Sequence, residues 1–89
     1  MEKFRALYFA SARDAAQGKQ SEILEVADKQ PATLAAAVER IRAAYPRMEP
    51  VLKSAMVALN EKYCDQDDMA STEIKDKDTV AIIPPVSGG

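Results

Sequence analysis

The spacing of apolar positions changes along the chain, and each change marks an element. Phe4 to Ala10 is rich in aromatic and apolar residues and predicts a strand. Ser11 to Lys19 is polar and alanine-rich, and Gly18 marks a turn in it. From Ser21 to Val26 the pattern alternates, with Leu24 and Val26 on one face, which predicts a second strand antiparallel to the first. Thr33 to Tyr45 changes to helical spacing. Leu34, Ala37, Val38, Ile41 and Tyr45 fall on one stripe, Thr33 can cap the first turn, and Pro46 stops the helix. A short helical turn over Met48–Ser54 follows. Met56–Leu59 then reads as a strand, Asn60-Glu61 as a turn, and Tyr63-Cys64 as a short returning strand. Asp65–Ser71 reads as loop and Lys75–Asp78 as a polar turn. Thr79–Ile83 is β-branched and apolar without alternation, as expected of a central strand, and Pro84-Pro85 ends it.

The predicted order is β-β-α-β-(β)-β. If the last strand pairs with the first, this is an α+β β-grasp domain: a mixed sheet of four to five strands with one main helix across one face. Residues 1–83 would form that single domain, and 84–89 an extended tail.

Composition narrows the chemistry. The chain has 89 residues, no His, no Trp and one Cys, Cys64. A chain of this size buries only roughly 60–65% of its unfolded surface, enough for one modest core. Without His there is no Ser-His-Asp or Cys-His machine and no Cys/His zinc site. No metal site is expected, since Asp67 and Asp68 read as loop solvation. A lone cysteine excludes an internal disulfide and suits a reducing compartment. Cys64 itself reads as a small, partly buried hydrophobe. The net charge of -2 argues against nucleic-acid binding through bulk charge. Residues 1–60 hold nine basic and seven acidic side chains, and residues 61–89 hold three and seven. The N-terminal sequence lacks a signal peptide and no apolar run could span a membrane, so a cytoplasmic protein is expected.

The reactive group is therefore expected on the main chain. After Pro85 come Val86-Ser87-Gly88-Gly89. Two prolines stiffen the exit from the last strand, and four residues beyond them reach about 13 Å at ~3.3 Å each. Gly88 and Gly89, lacking Cβ, could pass a channel too narrow for other residues. The Gly89 carboxylate is a poor electrophile, but adenylation would supply AMP as a leaving group.

The ending Val80-Ala81-Ile82-Ile83-Pro84-Pro85-Val86-Ser87-Gly88-Gly89 resembles the small, sulfur-carrying subunits of molybdopterin synthase, a ubiquitin-like family. Leu7-Tyr8-Phe9-Ala10-Ser11-Ala12-Arg13 resembles that family's first strand and the loop after it, and Val57-Ala58-Leu59-Asn60-Glu61-Lys62-Tyr63 its third-strand turn. One departure is visible: where the family has Gly before the acidic residue opening the last strand, this chain has Lys77, in Asp76-Lys77-Asp78. The resemblance implies no permanently bound cofactor. An E1-like enzyme would adenylate Gly89 with Mg-ATP, and a sulfur donor would convert the adenylate to a thiocarboxylate. The large synthase subunit, which would carry the catalytic residues, would then receive the tail in a heterotetramer of two small and two large subunits. Pro84, Pro85, Val86, Ser87 and Gly88 would present the tail. An exposed part of the Leu7, Phe9 or Ile82 surface could form the apolar contact patch, while core packing is the expected role of most of these side chains. Three other readings share the sequence features: a carrier serving thiamin thiazole synthesis, a ubiquitin-like protein modifier, and a binding module with an inert tail.

Overall fold

The computed structural model describes residues 2–26 and 32–85. Alternation in Lys3–Tyr8 makes β1, which turns Phe4, Ala6 and Tyr8 into the core and Lys3 and Arg5 to solvent. β2 (Ser21–Glu25) runs antiparallel to it, with Phe4 opposite Leu24. β3 (Met56–Leu59), β4 (Lys62–Cys64) and β5 (Thr79–Ile83) complete one mixed sheet in the order β2-β1-β5-β3-β4. The last strand lies at the centre, parallel to β1 and antiparallel to β3. This is the β-grasp arrangement.

The expected helical stripe forms α2 (Leu34–Ala44), where Leu34, Ala37, Val38 and Ile41 are buried. The Thr33 hydroxyl accepts the Ala36 N–H at 3.1 Å, satisfying one free donor of the first turn. Met48 and Leu52 on α3 (Met48–Leu52) close one side of the same core. No helix among the described residues is long and apolar enough to cross a membrane.

Two segments are more ordered than their polarity suggested. Ser11–Ala15 is a short helix, α1, whose start has no side-chain cap. Burial of Ala12 and Ala16 holds it, and Gly18 at φ 85 lets its own N–H return to the Arg13 carbonyl at 2.8 Å. Gln66–Ser71 is a 3₁₀ segment anchored by buried Met69. The Thr72 carbonyl beyond it accepts the Leu34 N–H at 2.8 Å, so this stretch supports the start of α2.

The two turns framing β5 explain its placement. Asn60 (φ 50) and Glu61 (φ 72) form the two-residue β3–β4 hairpin, which needs positive φ at both positions. Asn60 also ties that hairpin to the start of β5: its Oδ1 accepts the Thr79 N–H at 2.9 Å and its Nδ2 donates to Asp78 at 3.0 Å. The Lys75–Asp78 turn puts Lys77 at φ 76, the left-handed conformation that glycine adopts without strain. Lys77→Gly is expected to stabilise the domain by about 0.5–1 kcal/mol, the strain relieved less the entropy glycine adds to the unfolded chain. Urea unfolding checks this, and a lower midpoint in the variant would contradict it.

Candidate functional site

The two sides of β5 have different tasks. Val80 and Ile82 point into the core and are fully buried, Ile82 opposite Tyr8. The expectation that Ile82 belongs to a surface patch is thus corrected: its side chain cannot meet a partner. Ala81 and Ile83 take the opposite face, with Ala81 beside Leu7 and Ile83 beside Met56. Leu7 is half-buried, while Phe9 (42%), Met56 (51%) and Tyr63 (65%) are exposed. With Ala58, Ala81 and Ile83, the side chains of Leu7, Phe9 and Tyr63 line a shallow cleft of about 280 Å³ on the outer sheet face. Sequence reading found Leu7 and Phe9 but missed Met56, Tyr63 and Ile83. Stepping by two from Leu7 through the strand register would have found them.

The exit of β5 is fixed on one side by β1, because the Phe9 N–H donates to the Ile82 carbonyl at 3.2 Å. The two prolines beyond differ: Pro84 is buried and Pro85 exposed, so only Pro85 is free to contact another protein's wall. Val86, Ser87, Gly88 and Gly89 lie outside the described residues.

One polar cluster reaches into the core behind this end of the sheet. Glu22 points inward from β2, and its Oε2 accepts the hydroxyls of Tyr8 at 2.7 Å and Tyr45 at 2.6 Å. Its Oε1 lies 3.4 Å from the Lys19 ammonium. The two tyrosine rings meet edge to face at 5.9 Å. Burial pushes the Glu22 carboxyl up, but the two hydroxyls and Lys19 outweigh it, and the net shift is downward from 4.5. Burial and the Glu22 hydrogen bond raise the Tyr8 hydroxyl well above its ordinary value, keeping it a donor. The cluster clamps β1, β2 and the end of α2 together.

A lowered carboxyl stabilises the fold above its unfolded value, and that contribution disappears as pH falls through the folded value. Glu22→Gln is therefore expected to cost about 1.5–3 kcal/mol at neutral pH, with the difference from wild type shrinking below pH 4.5. Urea unfolding at neutral and acid pH tests it; a difference independent of pH would refute the assignment.

Other candidates have structural surroundings. Cys64 is half-buried beside the core, its Sγ 3.6 Å from the Thr72 hydroxyl. Asp67 and Asp68 are exposed in the first turn of the 3₁₀ segment. Among the described residues, no group of three or more His, Cys, Asp or Glu side chains could hold a metal ion.

The sequence profile of the ThiS family matches residues 6–89. The chain belongs to the ThiS family. A relative of this ThiS-family chain is the molybdopterin synthase sulfur carrier subunit of Chlamydomonas reinhardtii, 38% identical over 98% of this chain and 99% of that protein. Among solved structures, a putative molybdopterin converting factor subunit 1 from Pyrococcus furiosus superposes with TM-score 0.77 at 26% identity, over 97% of this chain and all of that one. A chain from the complex of subunits 1 and 2 of the Helicobacter pylori molybdopterin-converting factor shares the fold, with TM-score 0.68 at 20% identity, over 98% of this chain and 99% of that one. The β-grasp fold of this ThiS-family member is therefore that of its relatives, from the central β5 outward.

Proposed function

We propose that this chain is the sulfur carrier of molybdenum cofactor biosynthesis, the small subunit of a molybdopterin synthase. The observation that carries the reading is the near full-length match to a sulfur carrier subunit of that synthase, combined with a Pro-Pro-Val-Ser-Gly-Gly tail issuing from the central strand.

The Gly89 carboxylate attacks the α-phosphorus of Mg-ATP on an E1-like adenylyltransferase. Pyrophosphate leaves and a glycyl adenylate forms. Sulfide-level sulfur from a donor then attacks the glycyl carbonyl carbon, AMP leaves, and a thiocarboxylate remains. The loaded tail enters the large synthase subunit, whose residues direct sulfur into the pyranopterin precursor to build the dithiolene. Pro85, Val86, Ser87 and Gly88 line the tail's path, and Gly88 passes where a Cβ would not. Leu7 and Phe9, with Ile83, Met56 and Tyr63, form the contact face for the large subunit in a heterotetramer of two small and two large subunits. The carrier itself holds no cofactor and supplies no catalytic side chain. The pathway is placed in the cytoplasm, where thiols stay reduced.

The test is the intact mass after incubation with the cognate adenylyltransferase, Mg-ATP and a sulfur donor. An oxygen-to-sulfur exchange localised to Gly89 supports the carrier. An isopeptide bond to a lysine would identify a protein modifier, and an unchanged mass would leave an inert tail. Co-purification with a thiazole-forming enzyme in place of a large synthase subunit would move the carrier to the thiamin pathway.

A further inference from the structure

The outer sheet face has a second half. Below its apolar rows, β1 presents Lys3 and Arg5, four and two residues before Leu7 on the same face, with about 6.6–7 Å between successive positions. Lys77 lies alongside, its N–H donating to the Lys3 carbonyl at 2.8 Å. With Phe4, Asp76 and the exposed Ile23, which pairs with Arg5, these three cations line a cleft of about 470 Å³. Three carboxylates lie nearby, each in contact with a donor or a cation. Asp76 accepts the Lys3 N–H at 3.0 Å, and Asp78 accepts from Lys75 N–H and the Asn60 amide. Glu25 lies 4.0 Å from the Lys3 ammonium. Among the described residues Arg5 and Lys77 have no ion-pair partner. The lining thus holds three cations against the one carboxylate of Asp76, an excess of positive charge on a chain of net charge -2.

Lys77 strengthens the case. It holds a left-handed backbone where glycine would be unstrained, and its exposed side chain makes none of the fold's hydrogen bonds or ion pairs among the described residues. A strained residue whose side chain does nothing for the fold points to a use elsewhere. The cations continue the same face as the apolar rows, at the end away from the tail, within reach of a protein that covers those rows.

We infer that Lys3, Arg5 and Lys77 form a cationic rim that docks acidic side chains of the protein covering the apolar half of this face. The inference rests on the proposed carrier function, which supplies the partner: the large synthase subunit. Charges at a rim steer encounter more than they hold the complex, so the effect belongs in the association rate.

The probe is the cognate large synthase subunit, with association followed by stopped flow at about 50 and about 500 mM NaCl. The double reversal Arg5→Glu/Lys77→Glu should slow association about tenfold at low salt and flatten its salt dependence. Lys77→Gly should associate a few-fold more slowly although the fold is more stable, which separates docking from a structural defect. The matched reversal Arg47→Glu/Lys53→Glu, on the helical side, should have a much smaller effect. Wild-type rates and salt dependence in Arg5→Glu/Lys77→Glu would overturn the inference and leave the carrier function standing. An equal loss in the helical-side control would overturn it in favour of bulk charge. Failure of the wild-type chain to bind the large subunit would overturn the carrier reading and the rim together.

Discussion

Deleting Gly89 is expected to abolish sulfur transfer while leaving the melting temperature within about 1 °C of the full chain. The buried residues run through Ile82, which packs against β1, to Pro84 just past β5, and Gly89 lies five positions beyond Pro84. Removing it takes away the proposed reactive carboxylate and moves the terminus one residue short of any site shaped to receive it. A misplacement of that size is enough to end a reaction that depends on positioning. Two measurements on the same preparation decide the matter: thermal unfolding, and restoration of molybdenum-enzyme activity in cells lacking the wild-type chain. Full restoration by the deletion would sink the proposed function. A fall of several degrees in melting temperature would show that Gly89 belongs to the fold.

Phe4→Ala is expected to have the largest effect on stability. Phe4 is completely buried on β1, between β2 and the central β5, and faces the core across from α2. Truncating a buried phenylalanine costs about 3–5 kcal/mol, the lost transfer free energy plus the cavity left behind. A domain of this size has about 4–13 kcal/mol in total. The melting temperature should fall by roughly 15–30 °C, and the urea midpoint should drop without a comparable change in slope. Ile23, 58% exposed on the next strand, is the contrast: Ile23→Ala should shift stability by less than about 0.5 kcal/mol. Equal effects at the two positions would mean that burial does not govern stability here.

These contrasts show which parts of the structure could be read in the residues. α2 was legible because five apolar residues keep helical spacing for three turns and Thr33 and Pro46 mark its ends. β5 was legible as a central strand because it is apolar throughout, and for the same reason its faces were not. With no alternation, only the pairing of Ala81 with Leu7 and of Ile82 with Tyr8 tells outside from inside, and those are contacts between residues more than seventy positions apart. α1 was missed because its stability comes from Ala12 and Ala16 packing on the core rather than from a cap or a long apolar stripe. The inward turn of Glu22 was not legible, because a carboxylate points inward only when it finds donors, and its donors, Tyr8 and Tyr45, come from a different strand and from the end of α2. The departure at Lys77 was visible in the sequence; its left-handed backbone became visible only in the Lys75–Asp78 turn.

The central position of β5 also sets an order of events in the cell. Ribosomes deliver β1 before the domain's other strands, yet its parallel neighbour, β5, is the last of the domain's strands to emerge. Until β5 arrives, β1 and β3 each lack their partner on one side, and the sheet exists only as two separate hairpins. Two-stranded hairpins alone are marginal in water, and a topology closed by so distant a pairing folds in milliseconds to seconds rather than microseconds. A chain interrupted anywhere before Thr79 therefore cannot complete the sheet. Completion of the fold waits on the last strand of the domain, so any protein that binds across the sheet face meets only finished molecules.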